Sequence, residues 1–206
     1  MWCIAPSWAP HAQHIAVEFV HPVIVGKKAL PAVALAGPDL LGNVRVSARA
    51  GDIVVAVAGA DDRDVASVMR RAAAWGVTSV WIGNGARPAP GAADHVLWLD
   101  DPDPRMPATG QFVLLYHLLW ELTHVCFEHP GLLTPAPQDC TDTVCITCSD
   151  EGRPGEVIAD DGAGTARVRT ATGTEPVMTA LIGPLRPGEL ILVHAGMAIA
   201  KIDEDQ

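Results

Sequence analysis

Basic residues are scarce in this chain: 14 Lys and Arg stand against 24 Asp and Glu, a formal charge of −10. Binding to nucleic acid needs a basic face to neutralise phosphates, so that class is excluded and protein or small-molecule partners are expected. Long apolar runs are missing as well. None approaches the roughly 18 residues of a membrane-spanning helix, and the start MWCIAPSW has no basic segment ahead of an apolar core. Neither a membrane span nor a secretory leader is expected. No internal repeat and no low-complexity tract occurs. Cysteine is present but unsuited to a disulfide framework: five residues, an odd number, at Cys3, Cys126, Cys140, Cys145 and Cys148. This usage fits a reducing compartment, the cytoplasm, and thiol or metal chemistry.

The 206 residues, 49% of them hydrophobic, suffice for two modest cores. HPGLLTPAPQDCTDT (129–143) carries three prolines and no periodic apolar pattern, which marks a connector. The expected division is therefore 1–128, a linker at 129–142, and 143–206. Ahead of the linker, 32–36, 53–58, 77–82 and 95–99 are short, nearly continuous apolar runs, as in parallel strands covered on both faces. Helical stretches at 10–20, 64–75 and about 108–128 lie between or beside them, and the alternation implies an α/β layered domain with a parallel sheet. Behind the linker, runs at 155–159, 166–170, 177–181, 190–194 and 197–202 are punctuated by Gly162, Gly164, Gly173, Gly183-Pro184 and Pro187-Gly188. Such spacing predicts a small β-barrel.

On the helix 10–20, Pro10 falls in the first turn, where proline fits best. His14 and Glu18 follow at i, i+4 on one face, a spacing that lets two side chains converge on one proton or metal ion. They equally suit a solvated helix face, and His117 suits a buried, hydrogen-bonded histidine. AQHIAVEFV (12–20) and YHLLWEL (116–122) resemble the matching helices of sugar isomerase (SIS) domains of the phosphoheptose isomerase type. That resemblance implies a catalytic role for Glu18, a metal-binding role for His14, and both for His117. It also implies homodimer formation through this domain. The departures are equally informative. Those enzymes cradle a sugar phosphate with a glycine-rich turn and a Ser/Thr-rich loop, whereas IAPSWAPH (4–11) lacks the glycines and GADDRD (59–64) carries Asp61 and Asp62, which repel phosphate. The family's metal-binding glutamine position, eight residues before His117, holds Thr109, and Gln111 is two positions out of register. A degenerate SIS-like domain serving as a dimerisation or docking platform is expected.

Cys145-Ile-Thr-Cys148 alone fits a redox pair or half of a zinc site, and a structural zinc module of Cys140, Cys145, Cys148 and His194 remains a further reading. The tail ELILVHAGMAIAKID (189–203) is an apolar run with one imidazole, a turn at Ala195-Gly196, and a second run. His194 shares a strand face with Leu190 and Leu192, which suits a barrel-core histidine. CITCSDEGRPGEVI (145–158) together with VHAG (193–196) resembles the HypC/HupF family, small chaperones that help build the iron centre of nickel-iron hydrogenases. The resemblance implies an OB-like barrel, Cys145 as the functional cysteine, and His194 as its partner. It implies transient binding of an Fe(CN)2CO unit by Cys145 and His194, with HypD and the precursor of the hydrogenase large subunit as partners. A thiolate is a soft ligand suited to low-spin iron carrying cyanide and carbon monoxide. Here Cys145 lies inside the chain behind Val144, whereas the family's cysteine follows the initiator methionine. Conversion of sugar phosphates by the first domain is the rival reading.

Overall fold

β-branched and small apolar residues build a five-stranded sheet early in the chain: β1 (Trp2–Ile4), β2 (Val33–Leu35), β3 (Ile53–Val57), β4 (Thr78–Asn84) and β5 (His95–Leu99). The computed structural model describes residues 1–101, 103, 105, 110–133 and 152–202. Strand order is β2-β1-β3-β4-β5, with β1 parallel to both β2 and β3 and β4 parallel to β5. This is a doubly wound order whose direction of growth reverses at β1/β3. In such sheets ligands sit outside the carboxyl ends of the strands at the reversal.

Among the described residues four α-helices accompany the sheet: α1 (Ala9–Val20), α2 (Leu40–Ser47), α3 (Arg63–Ala72) and α4 (Gln111–Glu128). On α4, Phe112, Tyr116 and Trp120 recur every four residues, all buried, and join Ile15, Ala16 and Phe19 of α1 over Cys3, Val55 and Val57 of the sheet. Each large side chain so buried contributes roughly 1.5–3 kcal/mol. Sequence reasoning missed α2, because Gly42-Asn43 inside it reads as a turn. Asp39 offsets that weakness by accepting a hydrogen bond from the Gly42 amide at 2.8 Å, one of the first-turn donors the helix leaves unpaired.

Five further strands close a barrel in the order β10-β8-β7-β6-β9: β6 (Arg153–Asp160), β7 (Thr165–Thr170), β8 (Gly173–Met178), β9 (Leu190–His194) and β10 (Met197–Ile202). Val157, Ala166, Val168, Val177, Ile191, Val193 and Ala198 fill it. The third of these strands was expected at 177–181 and lies at 173–178 instead. Pro176 has no N–H to give to a ladder, which confines proline in sheets to positions that need none. It is accommodated because β8 meets β10 at the bridge Met178–Met197, while its ladder runs along β7.

The chain divides into two compact units. One comprises Met1–Ser47, Ile53–Arg70 and Ser79–Asp139; the other joins Ala48–Asp52 and Arg71–Thr78 to Cys140–Gln206. Within the second unit, Glu156 of β6 is buried and accepts a hydrogen bond from the Trp75 indole N–H at 2.7 Å. Its carboxylate also lies 3.4 Å from Arg71 Nε, the two side chains being about 4–5% exposed. Arg71 donates to the Gly188 carbonyl at 3.2 Å, and the Arg169 guanidinium stacks 5.3 Å from the Trp75 ring centre.

Candidate functional site

α1 and α4 bring His14, Glu18 and His117 together in the first unit. The i, i+4 spacing puts His14 Nε2 at 3.2 Å from Glu18 Oε1. His117, more than ninety residues away in sequence, adds its Nε2 at 3.2 Å from His14 Nε2 and 3.6 Å from Glu18 Oε1. Three candidate ligand atoms thus form a near-equilateral triangle. Tetrahedral zinc, with bonds of about 2.0–2.1 Å, sets ligand atoms roughly 3.3–3.4 Å apart. Two imidazoles and a carboxylate at these separations fit one face of such a tetrahedron, and the side chains are 37%, 20% and 43% exposed, so the fourth position can take a water or substrate atom. These three are the group of His, Cys, Asp or Glu side chains that converges this closely among the described residues.

Surrounding contacts hold these side chains in place. Tyr116, 2% exposed, has its hydroxyl 2.9 Å from His14 Nδ1 and 3.4 Å from His11 Nδ1. Burial, then the negative charge of Glu18, pushes the phenol up to about 12, so it remains neutral at physiological pH. The Trp120 indole donates to the Glu18 carbonyl at 2.8 Å and pins α1 to α4 beside the carboxylate. Gln111 opens α4 six residues before His117, about 9 Å along the axis, and cannot serve as a further ligand. Thr109 lies outside the described residues.

The reversal point carries little that would hold a phosphate. Asp62 accepts from the Val65 amide at 3.1 Å and so occupies the N-terminus of α3 with its own carboxylate. A cavity of about 140 Å³ lies at the carboxyl ends of β1 and β2, lined chiefly by Ala5, Ala9, Ala12, Leu35 and Leu40, with Gln13 as a polar group. Ligand sites typically enclose about 300–1,000 Å³.

In the barrel, strand parity places His194. Ile191 and Val193 face the core, so His194 and Leu192 occupy the outer face, where both are half-buried. The core position that its grouping with Leu190 and Leu192 suggested is therefore corrected: Ile191 and Val193 line the barrel core, and of the even-numbered residues of β9 only Leu190 is buried. A two-residue turn follows, with positive φ at Ala195 (48°) and Gly196 (77°), the geometry that joins twisted antiparallel strands. It sets His194 opposite Met197 at the rim. β6 and β9 pair antiparallel from Arg153–Val193 and Pro154–Leu192 onward. Continuing that register one step brings Gly152 opposite His194. A Cβ at Gly152 would approach the Leu192 side chain to 2.8 Å, so glycine allows the close entry of the chain there. Cys145, Cys148 and Cys140 lie outside the described residues. Of the other thiols, Cys3 is buried and pushed up to about 12 by desolvation, which makes it unreactive, and Cys126 is half-buried.

The chain thus combines a closed five-stranded barrel, with one imidazole at its rim, and an α/β unit in which two histidines and a glutamate converge. Residues 152–206, about a quarter of the chain, match the model of the HupF/HypC family. No curated protein matches the chain. Among solved structures, a phosphoheptose isomerase from Francisella tularensis is similar at 16% identity and a TM-score of 0.48, over 60% of this chain and 76% of that one. A protein assigned as a sugar-phosphate isomerase from Listeria monocytogenes is similar at 15% identity and a TM-score of 0.42, over 65% and 70%. No membrane-length apolar helix occurs among the described residues.

Proposed function

We propose that this protein is a cytoplasmic hydrogenase maturation chaperone whose barrel escorts the Fe(CN)2CO unit to the precursor of the nickel-iron hydrogenase large subunit, acting with HypD. The observation that carries the reading is the HupF/HypC match over 152–206, within which His194 stands at the barrel rim next to the β6–β9 pairing of Arg153 with Val193. Cys145 is the thiolate ligand of the iron cargo, and His194 supplies a second ligand or a hydrogen bond to the thiolate or a cyanide. Coordination by only one or two protein groups keeps the cargo transferable. The protein acts as a carrier, not as a catalyst. Anaerobic co-purification from the host, with infrared spectra in the cyanide and carbonyl stretching region, tests it. Bands present with wild type and lost with Cys145→Ala are expected; absence of both bands and HypD would sink the proposal.

The convergence of His14, Glu18 and His117 favours a second reading, a divalent metal held by the α/β unit, as the SIS resemblance implies. Sugar-phosphate isomerisation fits less well, since Asp62 fills the α3 N-terminus and the nearby cavity is small. Zinc content, and thermal stabilisation by sedoheptulose 7-phosphate, separate the two: zinc without stabilisation is expected. The same unit is proposed to form a homodimer. Val17 of α1 and Leu114, Leu118 and Leu122 of α4 lie 50–71% exposed along one face beside the cluster. Sedimentation of wild type and Leu118→Glu checks this, with the variant expected to be monomeric.

A further inference from the structure

Methionine is rare in this chain, five residues in 206, yet two of them stand beside the one histidine of residues 152–206. We propose that His194, Met197 and Met178 form a soft-metal site on the barrel rim. There an imidazole and two thioethers take a low-valent, electron-rich metal centre: copper(I), or the low-spin iron of the cargo. With iron as occupant the site deepens the carrier reading and rests on it; with copper(I) it stands apart.

Strand register carries the inference. β10 lies between β9 and β8 in the closed barrel, and Met197 pairs with His194 on one side and with Met178 on the other. Residues paired in this way share a face of the sheet, on strands about 4.7–4.9 Å apart. That face is the outer one for all three, because Val193, Ala198 and Val177, their neighbours along each strand, are buried in the core. Exposure agrees: Met178 is 49% exposed, and Met197 and His194 are half-buried. The backbone beneath is fixed by the turn at Ala195-Gly196 and by the Met178 amide, which donates to the Gly196 carbonyl at 2.9 Å. His194 and Met178 stand two strand spacings apart, roughly 9–10 Å. An imidazole and an unbranched, flexible thioether turned toward Met197 close that span on a shared centre.

The donor set decides the ligand. Thioethers are neutral and soft: they select copper(I) over hard cations, and methionine with histidine holds the low-spin iron of cytochromes c. The two imidazoles and carboxylate of the α/β unit suit zinc instead. Ligation uses one ring nitrogen of His194, and the other orients the ring through a hydrogen bond of its own.

The test is titration of the full-length protein with silver(I), a redox-inert stand-in for copper(I), followed by NMR of carbon-13 methionine methyls and nitrogen-15 histidine rings. Thiols take silver first, so the titration continues beyond the equivalents that five cysteines bind. The Met197 and Met178 methyls and the His194 ring are expected to shift together with one midpoint, while zinc leaves both methyls in place. Met197→Leu keeps the side chain apolar and close in volume, and in it the His194 shift should need about tenfold more silver or be lost. Methyls that stay in place, or that shift without His194, would overturn the site. Infrared spectra of anaerobically purified wild type and Met197→Leu then name the occupant. Cyanide and carbonyl bands displaced in the variant identify the iron cargo, and unchanged bands beside a joint silver response identify copper(I). Absence of bands from the wild type sinks the carrier reading alone, and the silver response still decides the site.

Discussion

The two units hold their candidate groups in opposite ways. In the α/β unit, three side chains from two helices already meet within 3.2–3.6 Å, supported from behind by Tyr116 and Trp120. In the barrel, His194 stands at a rim, placed there by strand parity and a tight turn. The first arrangement suits a group that stays bound, because preformed ligands need no reorganisation. The second suits cargo that must be surrendered, since a rim position leaves one side of the cargo open to a receiving partner. Exchanging the readouts should break this contrast if it is wrong. Cys145→Ala is expected to abolish hydrogenase maturation while leaving zinc binding intact, and Cys148→Ala to be milder. His14→Ala should weaken zinc by more than the roughly 10–100-fold that an outer-shell loss costs, while maturation continues. Loss of both activities in either variant would show that the two sites are one system.

Stability offers the next largest test. Glu156 is buried with Arg71 and Trp75 in the second unit, whereas Glu18 pairs with His14 in a partly exposed setting. Breaking a buried ion pair by removing one partner costs about 3–5 kcal/mol, and a partly exposed pair is worth only roughly 0–1 kcal/mol. Glu156→Ala should therefore lower the denaturant midpoint sharply and Glu18→Gln hardly at all, both followed by tryptophan fluorescence. A smaller loss is expected from Gly155→Ala. The added methyl would lie 2.5 Å from Val168 Cγ1 inside the barrel, an overpacking worth about 1–3 kcal/mol.

Much of this contrast was legible in the residues. The i, i+4 pair of α1 and the apolar period of α4 gave two of the cluster's faces, because helical periodicity is local. Nothing local announced that His117 would meet them, since only the packing of α4 on α1 decides it; the resemblance to SIS helices supplied that expectation. Tyr116 and His11 escaped notice, being a core position and a first-turn residue by pattern alone. Parity misled at His194: Leu190, Leu192 and His194 look like an inward row, yet Ile191 and Val193 take the core, and in a run apolar at every position alternation carries no signal. Glu156 was equally invisible, because an acidic residue in a strand reads as outward-facing until its indole and guanidinium partners are known.

Acid should separate the units by the smallest margin. In the barrel, amides of Leu185 and then Gly162 donate to Asp160, at 2.7 and 2.9 Å, and hold its carboxyl below the usual range. The Arg186 amide, and after it Lys201, do the same for Glu189. In the α/β unit Glu128 is lowered by Lys27, which lies 2.9 Å away. A carboxyl lowered on folding stabilises the native state fully above its unfolded pKa, about 3.9 for aspartate. That contribution is lost as pH falls through the lower folded value. Both units should hence be flat in stability from neutral pH to about 5 and decline below about 4. Asp160→Asn keeps an acceptor oxygen but removes the charge, so it should flatten part of the barrel's acid limb and leave the limb governed by Glu128 unchanged. A profile identical to wild type in urea melts from pH 6 to pH 2.5, taken at roughly half-unit steps through the aspartate range, would mean that the two amides hold Asp160 no more tightly than water does.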